Sequence, residues 1–308
     1  MQILIVASGN SEQISPFVKE QAHSLIKEGV LIDFYLIKGK GLIGYLKNYF
    51  SLLKKLKNKK YNLLHAHYGL SGLLATMQFS VPVIITFHGS DVNMKKNYLF
   101  SRIASNLSAT NIFVHNNLSN RLKIYSKPLN IIPCGVDDNT FFPISKSDAR
   151  KKLGWKKDNN YILFSSSFDN KIKNVSLAES AVSTINNSQL IELKGFKKEQ
   201  INLLLNASDL LLVTSFSETG PIIVKEALAC NCPIVSTDVG DVKKLIKNIN
   251  NCHLTTYNAN NIKEKINLVL KDNNRTNGRI AIQKFRLEKV AYEVLAVYQN
   301  TLKHIKNN

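Results

Sequence analysis

An α/β chain of two domains, each carrying a parallel sheet, is predicted by three observations. Short apolar runs alternate with stretches of helical spacing along the whole length, which implies parallel strands joined by helices. At 308 residues the chain exceeds what one core usually holds. A cluster of Pro, Ser and Lys between Phe142-Pro143 and Asp148 then separates two series of runs, giving domains at 1–145 and 146–287.

In chain order, the first series of strands is read at Ile3–Ala7, Leu31–Ile37, Leu63–Ala66, Val83–Phe87 and Ile112–His115. The second is read at Tyr161–Phe164, Leu190–Leu193, Leu210–Val213, Pro233–Ser236 and Cys252–Leu254. The terminal stretch 288–306 repeats apolar residues at helical spacing through Val290, Val294, Val297 and Tyr298.

The most informative segment runs from Thr214 to Asp241. An apolar strand ending at Val213 is followed by a polar turn, Pro221 as first helical residue, and the helix of Ile222, Ile223, Lys225, Glu226 and Ala227. Glu218 therefore lies in a loop at a strand's carboxyl end and Glu226 about one and a half turns into the helix, so both can face one cleft. A helix start offers free N–H groups and partial positive charge to phosphate, while a carboxylate accepts hydroxyl hydrogen bonds in fixed geometry. Such a unit suits a phosphorylated, hydroxyl-rich ligand.

The spacing Glu218, seven residues, Glu226, followed by Ala-Leu-Ala and Pro233-Ile-Val-Ser-Thr-Asp-Val-Gly240, resembles the donor-site signature of retaining glycosyltransferase family 4. Ile132-Pro-Cys-Gly-Val-Asp137 with Phe142-Pro143 is similar to the family's interdomain segment, with Cys134 in place of the usual Asn. Val83-Ile-Ile-Thr-Phe-His-Gly-Ser-Asp91 is similar to its His-Gly segment, and Gly9-Asn10-Ser11 to its first loop, where glycine lets backbone approach the diphosphate. Ser165–Asn174 stands where the family has a Gly-Arg…Lys-Gly phosphate clamp. Lys173 matches the lysine, Ser167 stands about where the arginine would be, and Lys171 is a compensating cation.

The resemblance implies two Rossmann-like domains facing across a cleft, the GT-B architecture, with the terminal helix returning to the first domain. It implies transfer of a sugar from a UDP- or GDP-sugar, with retention, to a polysaccharide or undecaprenyl-diphosphate-linked acceptor, as in bacterial surface polysaccharide synthesis. Glu226 would bind the ribose, Glu218 the sugar hydroxyls, and His88 the sugar from the other domain. Lys173 and the turn Gly220-Pro221 would stabilise the departing diphosphate, so that neither metal nor cofactor is required. Other readings of the same residues are a nucleotide-sugar epimerase, a phosphorylase, or a weakly catalytic sugar-nucleotide-binding subunit that needs a partner.

Charge narrows the partners. The chain carries 41 Lys and Arg against 22 Asp and Glu, a net +19, and few of the cations are Arg. An Arg-poor basic chain without a recognition motif argues against specific nucleic-acid binding and fits anionic lipid headgroups or an anionic donor. Leu42–Tyr61 interleaves Lys47, Lys54, Lys55, Lys57, Lys59 and Lys60 with apolar residues, and reads either as a basic amphipathic helix lying on a membrane or as a core-facing helix with solvated lysines.

No basic leader precedes the first strand and no run reaches 18 apolar residues, so a cytoplasmic protein at the inner membrane face is expected. Cys134, Cys230, Cys232 and Cys252 form no disulfide framework, and Cys230-Asn-Cys232 reads as two semi-buried thiols. His65-Ala-His67 puts two imidazoles on one strand face, read as a polar wall because no third metal ligand accompanies them. Asp91 and Asp238 read as turn formers.

Overall fold

The computed structural model describes residues 1–10, 14–39, 41–123 and 127–307, so Ser11 of the first loop lies outside the described residues. The chain divides into two compact units, Met1–Gly135 with Leu287–Asn308, and Val136–Arg286.

The first unit runs β1 (Gln2–Ser8), α1 (Pro16–Lys27), β2 (Leu31–Ile37), α2 (Gly41–Leu46), α3 (Tyr49–Asn58), β3 (Leu63–His67), α4 (Gly69–Thr76), β4 (Val83–Phe87), α5 (Ser90–Asn93), α6 (Lys95–Leu107), β5 (Thr110–Phe113), α7 (Asn116–Leu122) and β6 (Asn130–Ile131). Its six strands lie parallel in the order β2-β1-β3-β4-β5-β6. Ile3, Leu4, Ile5 and Val6 are all fully buried, because a central parallel strand is covered on both faces and must be apolar on both. β5 begins two residues earlier than read from sequence, and the two-residue β6 was not read at all.

The basic stretch 42–61 is not one helix. It breaks at Lys47 and Asn48, whose side-chain amide donates to the carbonyls of Gly44 (2.7 Å) and Lys38 (2.8 Å), a local competition that ends α2. Leu52 is fully buried and Tyr61, nearly so, donates to Asp33 at 2.7 Å.

The second unit continues with α8 (Lys146–Leu153), β7 (Asn160–Phe164), α9 (Val175–Val182), β8 (Ser188–Ile191), α10 (Lys198–Ala207), β9 (Leu210–Val213), α11 (Ile222–Ala229), β10 (Ile234–Thr237), α12 (Val242–Ile246), β11 (Cys252–Thr255) and α13 (Ala259–Asp272). Its strands are parallel in the order β11-β10-β9-β7-β8. The strand read at Leu190–Leu193 forms two residues earlier, where Asn160 to Leu163 of β7 supply its partners.

The unit boundary falls at Gly135/Val136 rather than 145/146. The reason is a set of long-range bonds: Val136 N–H donates to Phe285 (2.8 Å), Phe142 N–H to the Asn202 side chain (3.2 Å) and Ile144 N–H to that of Asn206 (2.7 Å), so the Phe-Pro segment is already tied into the second unit. The chain then re-enters the first unit as α14 (Leu287–Asn307). Val290, Ala291, Val294 and Tyr298 of α14 pack with Val18, Ala22 and Leu25 of α1.

Candidate functional site

In the second unit the sheet runs outward from β7 in two directions, to β8 on one side and to β9 on the other. Ligands of parallel α/β sheets collect at the carboxyl ends of such strands, where the order reverses. The loops that leave β7 and β9 are laced together there. Thr214 Oγ1 donates to the carbonyls of Lys173 (2.9 Å) and Asn174 (3.0 Å), and Phe216 N–H donates to Ile172 (2.9 Å). The turn Lys171–Lys173 is capped by Asn170 and closed by Asn174 in the left-handed conformation (φ 56°).

This lacing sets Lys173 Nζ 2.6 Å from Glu218 Oε1, and Ser215 Oγ donates to the same oxygen at 2.7 Å. The Lys173 and Glu218 side chains are 18% and 13% exposed, enough for a ligand to reach them and too little for bulk water to screen them fully. The Ser215 carbonyl is itself held by Tyr257 Oη (2.9 Å) and Thr237 Oγ1 (3.0 Å). These supporting residues were missed by sequence reasoning; the small hydroxyls right after β9 were the available signal.

Pro221 stands just before α11 rather than inside it, with ψ of 116°, so the first helical residue is Ile222. Glu226 lies on the first turns of α11 and is buried. Lys225 beside it is fully buried, with Nζ 4.8 Å from the centre of the Phe285 ring. A Cβ on Gly220 would come 3.6 Å from Asp241 Oδ2, and Asp241 Oδ1 is buried without a hydrogen-bond partner among the described residues. A carboxylate thus flanks the turn read from sequence as a phosphate contact.

The expected clamp is altered. Ser167 Oγ lies 2.5 Å from Asp169 Oδ1 and 3.0 Å from Glu192 Oε1, and Glu192 also accepts from Phe168 N–H at 2.8 Å. The Ser167 hydroxyl proton is therefore committed to carboxylates. Asp169, paired with Lys194 at 2.9 Å, is held below the usual carboxylate range by Ser167 first and by Lys194. Lys171 is exposed on the same turn as Lys173.

In the first unit β3 and β4 end side by side in His67 and Phe87-His88. His67 Nδ1 is 3.0 Å from His88 Nε2, and His88 Nδ1 is 3.9 Å from Cys134 Sγ. His65, one strand turn before His67, is bonded through Nδ1 to Tyr298 Oη (2.6 Å) and through Nε2 to Thr86 Oγ1 (2.7 Å). Both imidazoles are buried inside the unit rather than lining a wall. Burial lowers His65 and His88 to about 3 and holds His67 well below 6.5, so all three are neutral.

Asp91 is more than a turn former. It is buried and accepts from Gly69, His88 and Gly89 N–H (3.1, 3.2 and 2.8 Å); burial pushes its carboxyl up to about 6 against the pull of those bonds. Asp238 pairs with exposed Lys243 at 3.5 Å.

Gly9 and Asn10 serve the strand ends. A Cβ on Gly9 would meet Leu36 Cβ at 2.8 Å, and the Asn10 amide both donates to (2.6 Å) and accepts from (2.7 Å) the Gly39 backbone. Cys230 and Cys232 are buried free thiols whose ionisation burial pushes up, and Cys230 Sγ donates to Asn202. Among the described residues no group of three or more His, Cys, Asp and Glu is arranged to hold a metal.

Two family models match the chain: Glycosyltransferase Family 4 over residues 13–140 and Glycosyl transferases group 1 over 186–284. A glycosyltransferase assigned to teichuronic acid biosynthesis in Bacillus subtilis is 27% identical over 63% of this chain and 58% of its own length. A UDP-Gal:alpha-D-GlcNAc-diphosphoundecaprenol alpha-1,3-galactosyltransferase of Escherichia coli is 25% identical over 69% of this chain and 67% of its own. HepE of Anabaena, solved in complex with UDP, superposes with a TM-score of 0.78 at 15% identity, covering 97% of this chain and all of that one. Two parallel-sheet α/β units, the Glu-x7-Glu loop and helix, and these matches together identify the chain as a member of glycosyltransferase family 4, with domains of the GT-B type.

Proposed function

We propose that the chain moves a sugar from a UDP-sugar to a glycan or lipid-diphosphate-linked acceptor, with retention at the transferred carbon and without a metal. The observation that carries this reading is the Lys173–Glu218 contact of 2.6 Å where the strand order reverses. One end of the pair is suited to phosphate and the other to sugar hydroxyls. The uridine base and the acceptor class are suggested by the E. coli relative, named for both, and the base also by the UDP complex of HepE.

In this reading Glu226 binds the ribose and Glu218 orients the sugar, with His88 as a further sugar contact. The bond from the anomeric carbon to the diphosphate breaks while the acceptor oxygen bonds to the same face, and the acceptor proton passes to the leaving phosphate oxygen. Lys173 meets the charge that grows on that phosphate, aided by Lys171 and the N–H groups at the start of α11. The neutral hydroxyl of Ser167 brings no charge and is engaged by carboxylates, so Lys173 is the main cation for that task.

A membrane-facing acceptor is favoured by the surface of the first unit. Ile43, Phe50 and Phe79 are 72%, 77% and 91% exposed, amid Lys47, Lys54 and Lys57. Tyr49 Oη donates to Met77 at 3.4 Å, which brings the turn bearing Phe79 beside α3. Exposed aromatics within a lysine-rich face suit anionic lipid. No described helix is long and apolar enough to cross a membrane.

The test is a thermal-shift series of wild type and Glu226→Ala against UDP, GDP and their common sugars. Stabilisation by UDP compounds that the variant loses is expected. Stabilisation by no nucleotide, or an equal response in the variant, would refute the assignment.

A further inference from the structure

We propose that His67 is a positioning residue for His88: it fixes the ring nitrogen of His88 that carries the proton, and leaves His88 a hydrogen-bond donor through Nδ1. The parallel pairing of β3 with β4 sets the two rings in a stack, with centroids 5.3 Å apart and His67 Nδ1 3.0 Å from His88 Nε2. Two nitrogens at that distance share one proton, so one ring donates and the other presents a bare nitrogen. Both rings stay neutral, because the loss of water around them disfavours the charged form. His67 is buried, and His88 is half-buried, packed against Phe17 (4.8 Å) and Tyr68 (4.6 Å).

The other nitrogen of His67 decides between the two arrangements. Nε2 of His67 is buried and has no hydrogen-bond partner among the described residues. The neighbouring His65 ring has its centroid 4.5 Å away, but Tyr298 and Thr86 occupy both of its nitrogens. If His88 donated, His67 would carry its proton on Nε2, an orphaned buried N–H. If His67 donates from Nδ1, only a bare lone pair is orphaned, and unmet donors are the rarer and costlier defect. The second arrangement therefore holds. His88 is protonated at Nδ1, the side that faces Cys134 at 3.9 Å, and there it can donate to an oxygen that displaces the weak thiol contact. The catalytic consequence rests on the proposed function, in which His88 meets the donor sugar; the tautomer does not.

The experiment uses the full chain with 15N-labelled histidine, as wild type, His67→Phe and His67→Asn, whose amide nitrogen can stand about where Nδ1 does. In ligand-free wild type, His88 is expected to be protonated at Nδ1, with scalar coupling across the hydrogen bond between His67 Nδ1 and His88 Nε2. In the Phe variant the Nε2-protonated form appears, and Asn restores the original form. With a UDP-sugar that wild type turns over, UDP release should show kcat lowered about 10- to 100-fold in the Phe variant, the effect of one mis-set hydrogen bond, with donor KM little changed and recovery in Asn. His88 protonated at Nε2 in wild type, or a tautomer unmoved in the Phe variant, overturns the proposal. Should the Phe variant fail to fold, the wild-type tautomer of His88 decides together with the coupling, and absence of the coupling from sharp resonances is likewise fatal. If wild type turns over no UDP-sugar, the functional reading falls while the tautomer result stands by itself.

Discussion

Replacing Lys173 with Met keeps the length of the side chain and removes its charge. About one unit of negative charge develops on the leaving phosphate, and a cation roughly 4 Å away at an effective dielectric constant near 20 is worth about 4 kcal/mol. Part of that attraction already exists in the bound donor, so kcat should fall about 10²- to 10³-fold, the range of one preorganised electrostatic contact. Stability responds differently. Glu218 loses its 2.6 Å partner but keeps the Ser215 hydroxyl at 2.7 Å. With both side chains more than four-fifths covered, the cost is about 1–2 kcal/mol, below the ~3–5 kcal/mol of a fully buried pair. The double variant Lys173→Met/Glu218→Gln should regain most of that stability and none of the activity. The assay is UDP release at saturating donor, alongside urea denaturation. A kcat within about threefold of wild type, or activity recovered by the double variant, would refute the electrostatic role assigned to Lys173.

The neutral histidines make the first unit acid-sensitive. The unfolded chain binds protons at His65, His67 and His88 near pH 6.5 that the fold refuses, so stability is full above that pH and is lost as pH falls towards 3. Asp91 opposes this, taking its proton first in the folded state. It rises only from 3.8 to about 6, whereas two histidines each fall from 6.5 to about 3, so a net loss is expected on going from neutral pH to about pH 5. A flat denaturation midpoint over that interval would contradict it. Tyr298→Phe should cost about 1–3 kcal/mol, because the fully buried His65 then has no water to replace the lost 2.6 Å bond. Chemical denaturation that finds less than about 0.3 kcal/mol would sink that account. Phe50→Ser and Phe79→Ser should each lower recovery on anionic liposomes about tenfold, one exposed aromatic being worth about 1.5–3 kcal/mol of apolar contact. Unchanged flotation in both would remove the membrane surface.

What could be read from sequence is what is encoded locally. β9 is an unbroken apolar run, β1 is apolar from Ile3 to Ala7, and β4 is interrupted only at Thr86, because both faces are covered, and the strand-loop-helix unit around Glu218 follows from Asp209 to Pro221 in order. Most of the departures involve partners outside the local pattern. Asn48 ends a helix by bonding Lys38, Asn10 is taken by Gly39, and Ser167 is taken by Glu192, 25 residues on. The domain boundary moved for the same reason: Pro143 and its neighbours look like a linker until Asn202 and Asn206 are seen to bind Phe142 and Ile144. No local pattern announces that Lys173 and Glu218 touch, or that His67 holds His88.

The bond between His65 and Tyr298 joins residues 233 positions apart. Everything in the second unit lies between them, so during synthesis that unit is a continuous segment free to fold as it emerges, while the first waits for its last helix. At about 5–20 residues per second the wait is roughly 10–50 s. Through that interval the side of the first sheet destined for α14 has Ile3, Ile5, Leu63 and Ile84 without their final cover. Until α14 is made, the first unit is therefore more open to proteases and to sticking than the second, because part of its cover is synthesised only after the whole of the second unit.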